Sequence, residues 1–325
     1  MINGGLQMGE FRHDHHPSSS VNLIAFVKGI PELQSAVQVE RISKGYSLDH
    51  KFKVVTPHLG KVLLRVFPHS ELQSKQTELH LLERLRQMGV LCSAPLGIGK
   101  LDENNGYMIL SYLEGEDASE ALPLLNEKQQ WSIGMQAGAE LRRIHRLPVE
   151  KQAESWYSRK SRKHRRYVDK YRECSVVMKQ DQAILNFIED HLDCMKGRPD
   201  YFQHDDFHPA NLVINQGELA GVIDFNRADQ GDPVHEFLKL GLFATETSVP
   251  YSIGQVQGYF DGNEPNEEFW RMYSLYMAMA LVSSVVWIQH VKPEETDEMM
   301  MKIDRVREDH DDFRNLIPRW YTVNR

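Results

Sequence analysis

The chain has 325 residues, of which 41% are hydrophobic and 26% charged, and a formal net charge of −8. That length can bury a full core and build two lobes, while the acidic balance argues against an overall basic footprint for nucleic acid. Cys92, Cys174 and Cys194 are few, odd in number and off metal-ligand spacing, so they read as reduced thiols of a cytoplasmic protein.

Residues 1–20 contain no apolar signal segment and are expected to form a disordered polar tail, His13, His15 and His16 included. Residues 37–56 hold two strand-like runs around Ser43-Lys44-Gly45-Tyr46-Ser47, and residues 61–66 a third run. Residues 71–88 predict a helix, with Leu79, Leu82 and Leu85 at three-residue steps. Residues 90–99 read as loop and strand, and 107–112 as another strand. Beyond residue 117 the chain turns helical. Asn126 with Gln129 forms a near capping box, and Gly134, Ala137, Leu141 and Ile144 make a seam of small and apolar residues suited to close helix packing. His145, which follows, reads as a core histidine.

The basic run at 159–172 predicts a solvated helical face rather than a patch for RNA or anionic lipid. Residues 272–289 are apolar but barely long enough to span a bilayer, so a buried helix is expected and no membrane partner. No Walker A loop is present, because Gly99-Lys100 is followed by Leu101.

The stretch 203–240 carries the chemistry. Two short apolar strands, Leu212-Val213-Ile214 and Ala220-Gly221-Val222-Ile223, flank a turn. Asp206 and Asn211 precede the first, and Asp224 follows the second. A hairpin returns its ends to one edge, so these three oxygen-bearing side chains can converge. Phosphoryl transfer from a nucleotide asks for such a set: one carboxylate to orient the attacking hydroxyl, and an amide with a second carboxylate to hold Mg²⁺. Oxygen donors suit a hard cation and argue against zinc.

The segment His204-Asp205-Asp206-Phe207-His208-Pro209-Ala210-Asn211, then Ile223-Asp224-Phe225 and Gly231-Asp232-Pro233, resembles the signature of aminoglycoside phosphotransferases and choline-kinase-like enzymes. Their pattern is His-Gly-Asp-x-His-x-x-Asn followed by Ile-Asp-Phe/Trp. The resemblance implies a two-lobed, protein-kinase-like α+β fold. A small β-rich N-lobe would span 21–112, with a hinge near Leu113, and a larger, mainly helical C-lobe would span 113–325.

It further implies Asp206 as catalytic carboxylate, Asn211 and Asp224 as Mg²⁺ ligands, and ATP or GTP as co-substrate. Arg65 would contact the phosphates, with Glu78 as its partner. Ser43 and Gly45 in the phosphate-covering turn, with Ser111 and Leu113, complete the expected nucleotide contacts. His204 and His208 are expected to brace the loop. Asp205 replaces the family glycine, and its added charge is expected to raise the pKa of Asp206.

Only residues 225–230 separate Asp224 from Gly231-Asp232-Pro233, with a direct return to helix expected at 234–237. That leaves no room for a peptide platform and favours a small-molecule acceptor. Asp229, Asp232, Glu236, Glu267 and Glu268, with Trp270 and Tyr273, would suit a cationic one. An aminoglycoside-like acceptor is expected first. The alternatives are a metabolite kinase of the choline or homoserine type and a nucleotide-binding pseudokinase.

Overall fold

The computed structural model describes residues 20–43 and 49–322. Most of the expected polar tail and Gly45 of the covering turn lie outside these residues, whereas Ser43 ends the first strand segment on the surface. The chain divides into two compact units.

The first unit comprises the chain up to Gln76 together with Pro95–Tyr112. After α1 (Ser20–Lys28) come β1 (Gln38–Ile42), β2 (His50–Thr56), β3 (Gly60–Pro68), β4 (Pro95–Lys100) and β5 (Asn105–Ser111). They pair antiparallel in the order β1-β2-β3-β5-β4. Side chains alternate across a pleated sheet. Val62, Leu64 and Val66 of β3 therefore share one face, where they meet Phe52, Val54 and Ile109 and pack under Val27, Ile30 and Leu33. Arg65 between them points to the other face.

Between β3 and β4 runs α2 (Leu72–Gln87), the helix expected at 71–88. Residues 77–94 group with the second unit. The Leu91 N–H donates to Glu140 Oε1 (2.5 Å), and Cys92 bridges to Val222.

The second unit continues from Leu113. The hinge expected at residues 113–117 already ends in a strand, β6 (Glu116–Asp117), and Asp117 caps the short α3 (Ala118–Ala121). α4 (Glu127–Ile144) opens on the full Asn126–Gln129 capping box. There follow α5 (Trp156–Tyr171), α6 (Asp181–His191) and β7 (Tyr201–Gln203), then β8 (Leu212–Asn215), β9 (Glu218–Val222) and β10 (Asp229–Gly231). The helices α7 (Thr245–Thr247), α8 (Val249–Tyr259), α9 (Glu267–Val291), α10 (Thr296–Asp309) and α11 (Arg319–Thr322) complete the unit.

The small-residue seam of α4 packs on α8. A Cβ at Gly134 or Gly138 would strike the carbonyl oxygens of Tyr251 and Gln255, so backbone-to-backbone approach replaces side-chain interdigitation here. α9 is long and apolar enough to cross a membrane by length and composition, yet it is the central core helix, packed by α5, α6 and α10. β10 was not foreseen. The chain after Asp224 first pairs with β7, Asp229 opposite Gln203, before the helical turn Pro233–Phe237.

Candidate active site

β8 and β9 form an antiparallel hairpin with Leu212 opposite Val222. Its turn places Gln216 and Gly217 at positive φ, the twist that matches a two-residue hairpin. The hairpin returns Asn211 and Ile223 to one edge, where the Ile223 N–H donates to the Asn211 carbonyl (3.0 Å). On its other side, the Ile223 carbonyl accepts from His204 Nε2 (2.9 Å). His204 Nδ1 in turn accepts the Asp206 N–H (3.2 Å), which fixes the ring as a neutral tautomer with its proton on Nε2. Burial holds that ring below the usual histidine pKa. One buried histidine thus ties the Asp206 loop to the strand end that presents Asp224, the bracing role expected for it.

Asp206 is the most strongly perturbed carboxylate of the site. Burial pushes its pKa up, but His208 (Nε2 to Oδ1, 3.5 Å) and Lys239 (Nζ to Oδ1, 2.8 Å) more than offset this. The carboxyl therefore stays far below its ordinary value. The upward shift expected from Asp205 does not occur, because two cationic or proton-donating groups touch Asp206 directly while Asp205 contacts other partners. Asn211 Nδ2 donates to the Asp206 carbonyl (2.8 Å) and to Oδ2 (3.3 Å).

Committing the amide nitrogen to Asp206 leaves Asn211 Oδ1 as a ligand atom for a cation. Asp224 stands exposed at φ 67°, ψ 57°. One amide oxygen and one carboxylate form a hard donor set. Among the described residues no group of three His, Cys, Asp or Glu side chains gathers at metal-binding distance. The oxygen pair of Asn211 and Asp224 is of the kind that suits Mg²⁺, which retains waters and takes phosphate oxygens alongside one or two carboxylates.

Beneath the loop lies Glu236, buried, accepting the N–H groups of Asp205 (3.1 Å) and Phe207 (3.4 Å). His145 sits 3.6 Å from it and shares Nδ1 with the Tyr259 hydroxyl (2.8 Å). Burial raises Glu236, and His145 with these donors brings it below its ordinary value. Glu236 is therefore a buried brace for the loop that carries Asp206.

Most of the other acceptor candidates also fall away. Asp232 is fully buried on Arg198 (Nε to Oδ2, 2.5 Å) and accepts the Tyr276 hydroxyl (2.8 Å). Trp270 and Tyr273 are core residues. Glu268 binds Arg198 (2.6 Å) and Glu267 binds Arg271, both at the surface. Asp229 lies exposed in β10.

Asp205 sits at φ 60°, a region that glycine favours and Asp tolerates, which accounts for glycine in the related pattern. Burial and then Glu236 push its carboxyl up to about 6, against the pull of Lys239 and Lys160. Lys160, from the basic run, touches His235 Nε2 (2.6 Å), and burial pushes it down to about 7. Ser161, His164 and Tyr171 of that run are buried, while its outer side carries ion pairs such as Arg159–Asp200 and Arg162–Glu154.

A carboxyl with a raised native pKa favours folding when protonated. Its contribution is complete below the unfolded value of about 4 and is lost as pH rises through about 6. Asp205→Asn should therefore match the wild type in stability near pH 4 and exceed it near pH 8 by about 1 kcal/mol after allowance for solvent screening, seen as a higher melting temperature. Thermal melts that differ equally at both pH values would contradict this assignment.

In the first unit, Arg65 is buried and bound by Asp49, a residue the sequence did not single out (Nε to Oδ2, 2.7 Å). Lys75 shares the same carboxylate (2.8 Å). Burial raises Asp49, and the two cations hold it below its ordinary value. Glu78 belongs to the second unit, on α2. Ser111 ends β5 opposite Val62, and Leu113 opens the second unit's long segment.

A model of the phosphotransferase enzyme family (APH) matches residues 38–273. A comparison with curated proteins found no match. Among solved structures, a thermostable mutant of aminoglycoside phosphotransferase APH(4)-Ia, in ternary complex with ADP and hygromycin B, is similar at TM-score 0.62 and 17% identity, over 90% of this chain and 98% of that one. The GDP complex of aminoglycoside 2'-phosphotransferase-IIIa reaches TM-score 0.66 at 15% identity, over 89% and 99%. A choline/ethanolamine kinase family protein from Mesorhizobium loti gives 0.64 at 16%, over 91% and 97%. These likenesses show the two-lobed, kinase-like α+β fold. The family match spans most of the chain and includes the whole of residues 203–240, so the chain belongs to the phosphotransferase enzyme family.

Proposed function

We propose that the protein is a cytoplasmic small-molecule O-phosphotransferase that moves the γ-phosphate of ATP or GTP to a hydroxyl of a small acceptor. The observation that carries this reading is the state of Asp206: a carboxylate kept ionised by Lys239 and His208, and tied through Ile223 and His204 to the segments bearing Asn211 and Asp224. An ionised carboxylate accepts a hydrogen bond from the acceptor hydroxyl and aims its oxygen at the γ-phosphorus. In a loose transition state the proton needs to leave only late, so orientation counts for more than basicity.

Asn211 and Asp224 would hold Mg²⁺, which supplies charge neutralisation on the phosphates. Arg65, with the contacts expected of Ser43, Gly45, Glu78, Ser111 and Leu113, belongs to the nucleotide side of the same proposal. A small acceptor is supported by the chain after Asp224, a short turn and then β10 paired to β7, which provides no extended seat for a peptide. Apart from Asp229, exposed in β10, the acids and aromatics expected to greet a cationic acceptor are braces, core residues or surface ion pairs. This weakens the argument that favoured aminoglycosides over metabolites of the choline or homoserine type.

The test is transfer of labelled phosphate from Mg²⁺·ATP and Mg²⁺·GTP to a panel of aminoglycosides, choline-like amines, homoserine and other hydroxylated metabolites, with casein and histone alongside. Label on a small molecule is expected. Transfer to the proteins alone, or to nothing in a broad panel, would overturn the reading.

A further inference from the structure

Lys239 stands outside the catalytic signature, 33 positions beyond Asp206 in sequence, yet its ammonium makes the shortest contact to Asp206 Oδ1 among the described residues, at 2.8 Å. An ammonium has three donors. Asp206 is the one carboxylate within 4 Å of Lys239 among the described residues, so two donors are available beyond the pair. The side chain keeps a quarter of its surface exposed. Asp206 is 18% exposed, so the pair is half-buried and opens to solvent on the Lys239 side.

The backbone around it is unusual. Immediately after Lys239 the helix widens into a π-helical turn, Leu240–Ala244, a rare form that is frequent at functional sites. The widened turn carries Phe243, whose ring lies 5.5 Å from Lys239 Nζ and 6.0 Å from the His208 ring. Phe243 therefore seats the ammonium through a cation–π contact against the same histidine that flanks Asp206.

We propose that Lys239 is a catalytic residue of the transfer step, bridging Asp206 and the migrating phosphoryl group and neutralising the charge on its oxygens in the transition state. The inference rests on the transfer reading above. The γ-phosphorus separates from the β-bridging oxygen, which keeps the electron pair and leaves as ADP. The acceptor oxygen bonds to phosphorus, and its proton passes to Asp206 and then to solvent. A cation fixed on Asp206 is present wherever the acceptor hydroxyl is held, so it is preorganised for the charge that spreads over the phosphoryl oxygens.

Two variants of the full chain, Lys239→Met and Lys239→Arg, test this without knowledge of the acceptor. The readouts are Mg²⁺·ATP turnover to ADP with no acceptor added, and the affinity of Mg²⁺·ADP with and without aluminium fluoride, a mimic of the phosphoryl in flight. Lys239→Met should lower turnover about a hundredfold with little change in KM. It should also weaken the aluminium fluoride complex while leaving ADP affinity unchanged, and Lys239→Arg should recover part of both losses. Wild-type turnover in Lys239→Met overturns the proposal, as does equal weakening of ADP with and without aluminium fluoride. A rise only in the KM of an acceptor that the panel has identified would instead make Lys239 an acceptor-binding group, and also overturns it. Absence of ATP turnover in the wild type, with and without the whole acceptor panel, overturns the transfer reading and this inference together.

Discussion

Replacing Asp206 with asparagine is expected to lower kcat about a hundredfold or more while the KM for ATP barely moves. The side chain keeps its size and its neighbours, and an amide still fits between Asn211 and Lys239. What it loses is the negative charge, and one of two acceptor oxygens becomes a donor. The acceptor hydroxyl then has no anion to orient it, and Lys239 stands beside a neutral group. On the proposed reading Asn211 and Asp224 hold the nucleotide's Mg²⁺ without Asp206, so nucleotide affinity should survive. Steady-state kinetics on an acceptor found by the panel would check this, with calorimetric ATP affinity as the control for folding. Turnover near the wild-type rate would remove Asp206 from the reaction.

The residues whose roles could be read from the sequence are those whose geometry is local. A two-residue turn at Gln216-Gly217 fixes the hairpin, and the hairpin alone brings Asn211 and the Asp224 segment to one edge. His204, two residues before Asp206, needs only its own loop to reach the Asp206 N–H. Lys239, Glu236 and His145 could not be read in the same way. Each reaches the site from a separate element, 29 to 114 positions away along the chain for the contacts that matter. A buried carboxylate that accepts backbone N–H groups looks, in sequence, like any other acid on a helix. Glu236 and Asp232 were therefore placed in an acceptor pocket when packing makes them braces.

The first unit shows the same limit. The strands β1 to β5 and α2 followed from periodicity, but Asp49 as the partner of Arg65 depends on β2 and β3 being paired so that the residue entering one strand meets the middle of the other. β10 was missed because Asp-Gln-Gly carries no strand signal, and only its pairing with β7 makes it one. The pKa of Asp206 was misjudged for a related reason. Sequence showed the adjacent charge of Asp205 but not the two partners that folding sets on Asp206 itself.

The second large effect should come from Asp224. Its backbone lies in the left-handed region at φ 67°, which alanine resists and asparagine accepts, so Asp224→Asn removes the charge without bending the loop. Phe225, next in the chain, is buried against His204 with ring centroids 4.6 Å apart, and this anchor is untouched by the change. The variant should melt like the wild type. Loss of an outer partner of a metal site already costs about 10- to 100-fold in metal affinity, and loss of a ligand should cost at least that much. Calorimetric titration of ATP with and without Mg²⁺ should therefore show a Mg²⁺-dependent gain in affinity for the wild type and almost none for Asp224→Asn. Metal-free ATP should bind the two alike. An undiminished Mg²⁺-dependent gain in the variant would show that Asp224 is not a ligand, and the pairing of Asn211 with Asp224 as a hard-cation site would fall with it.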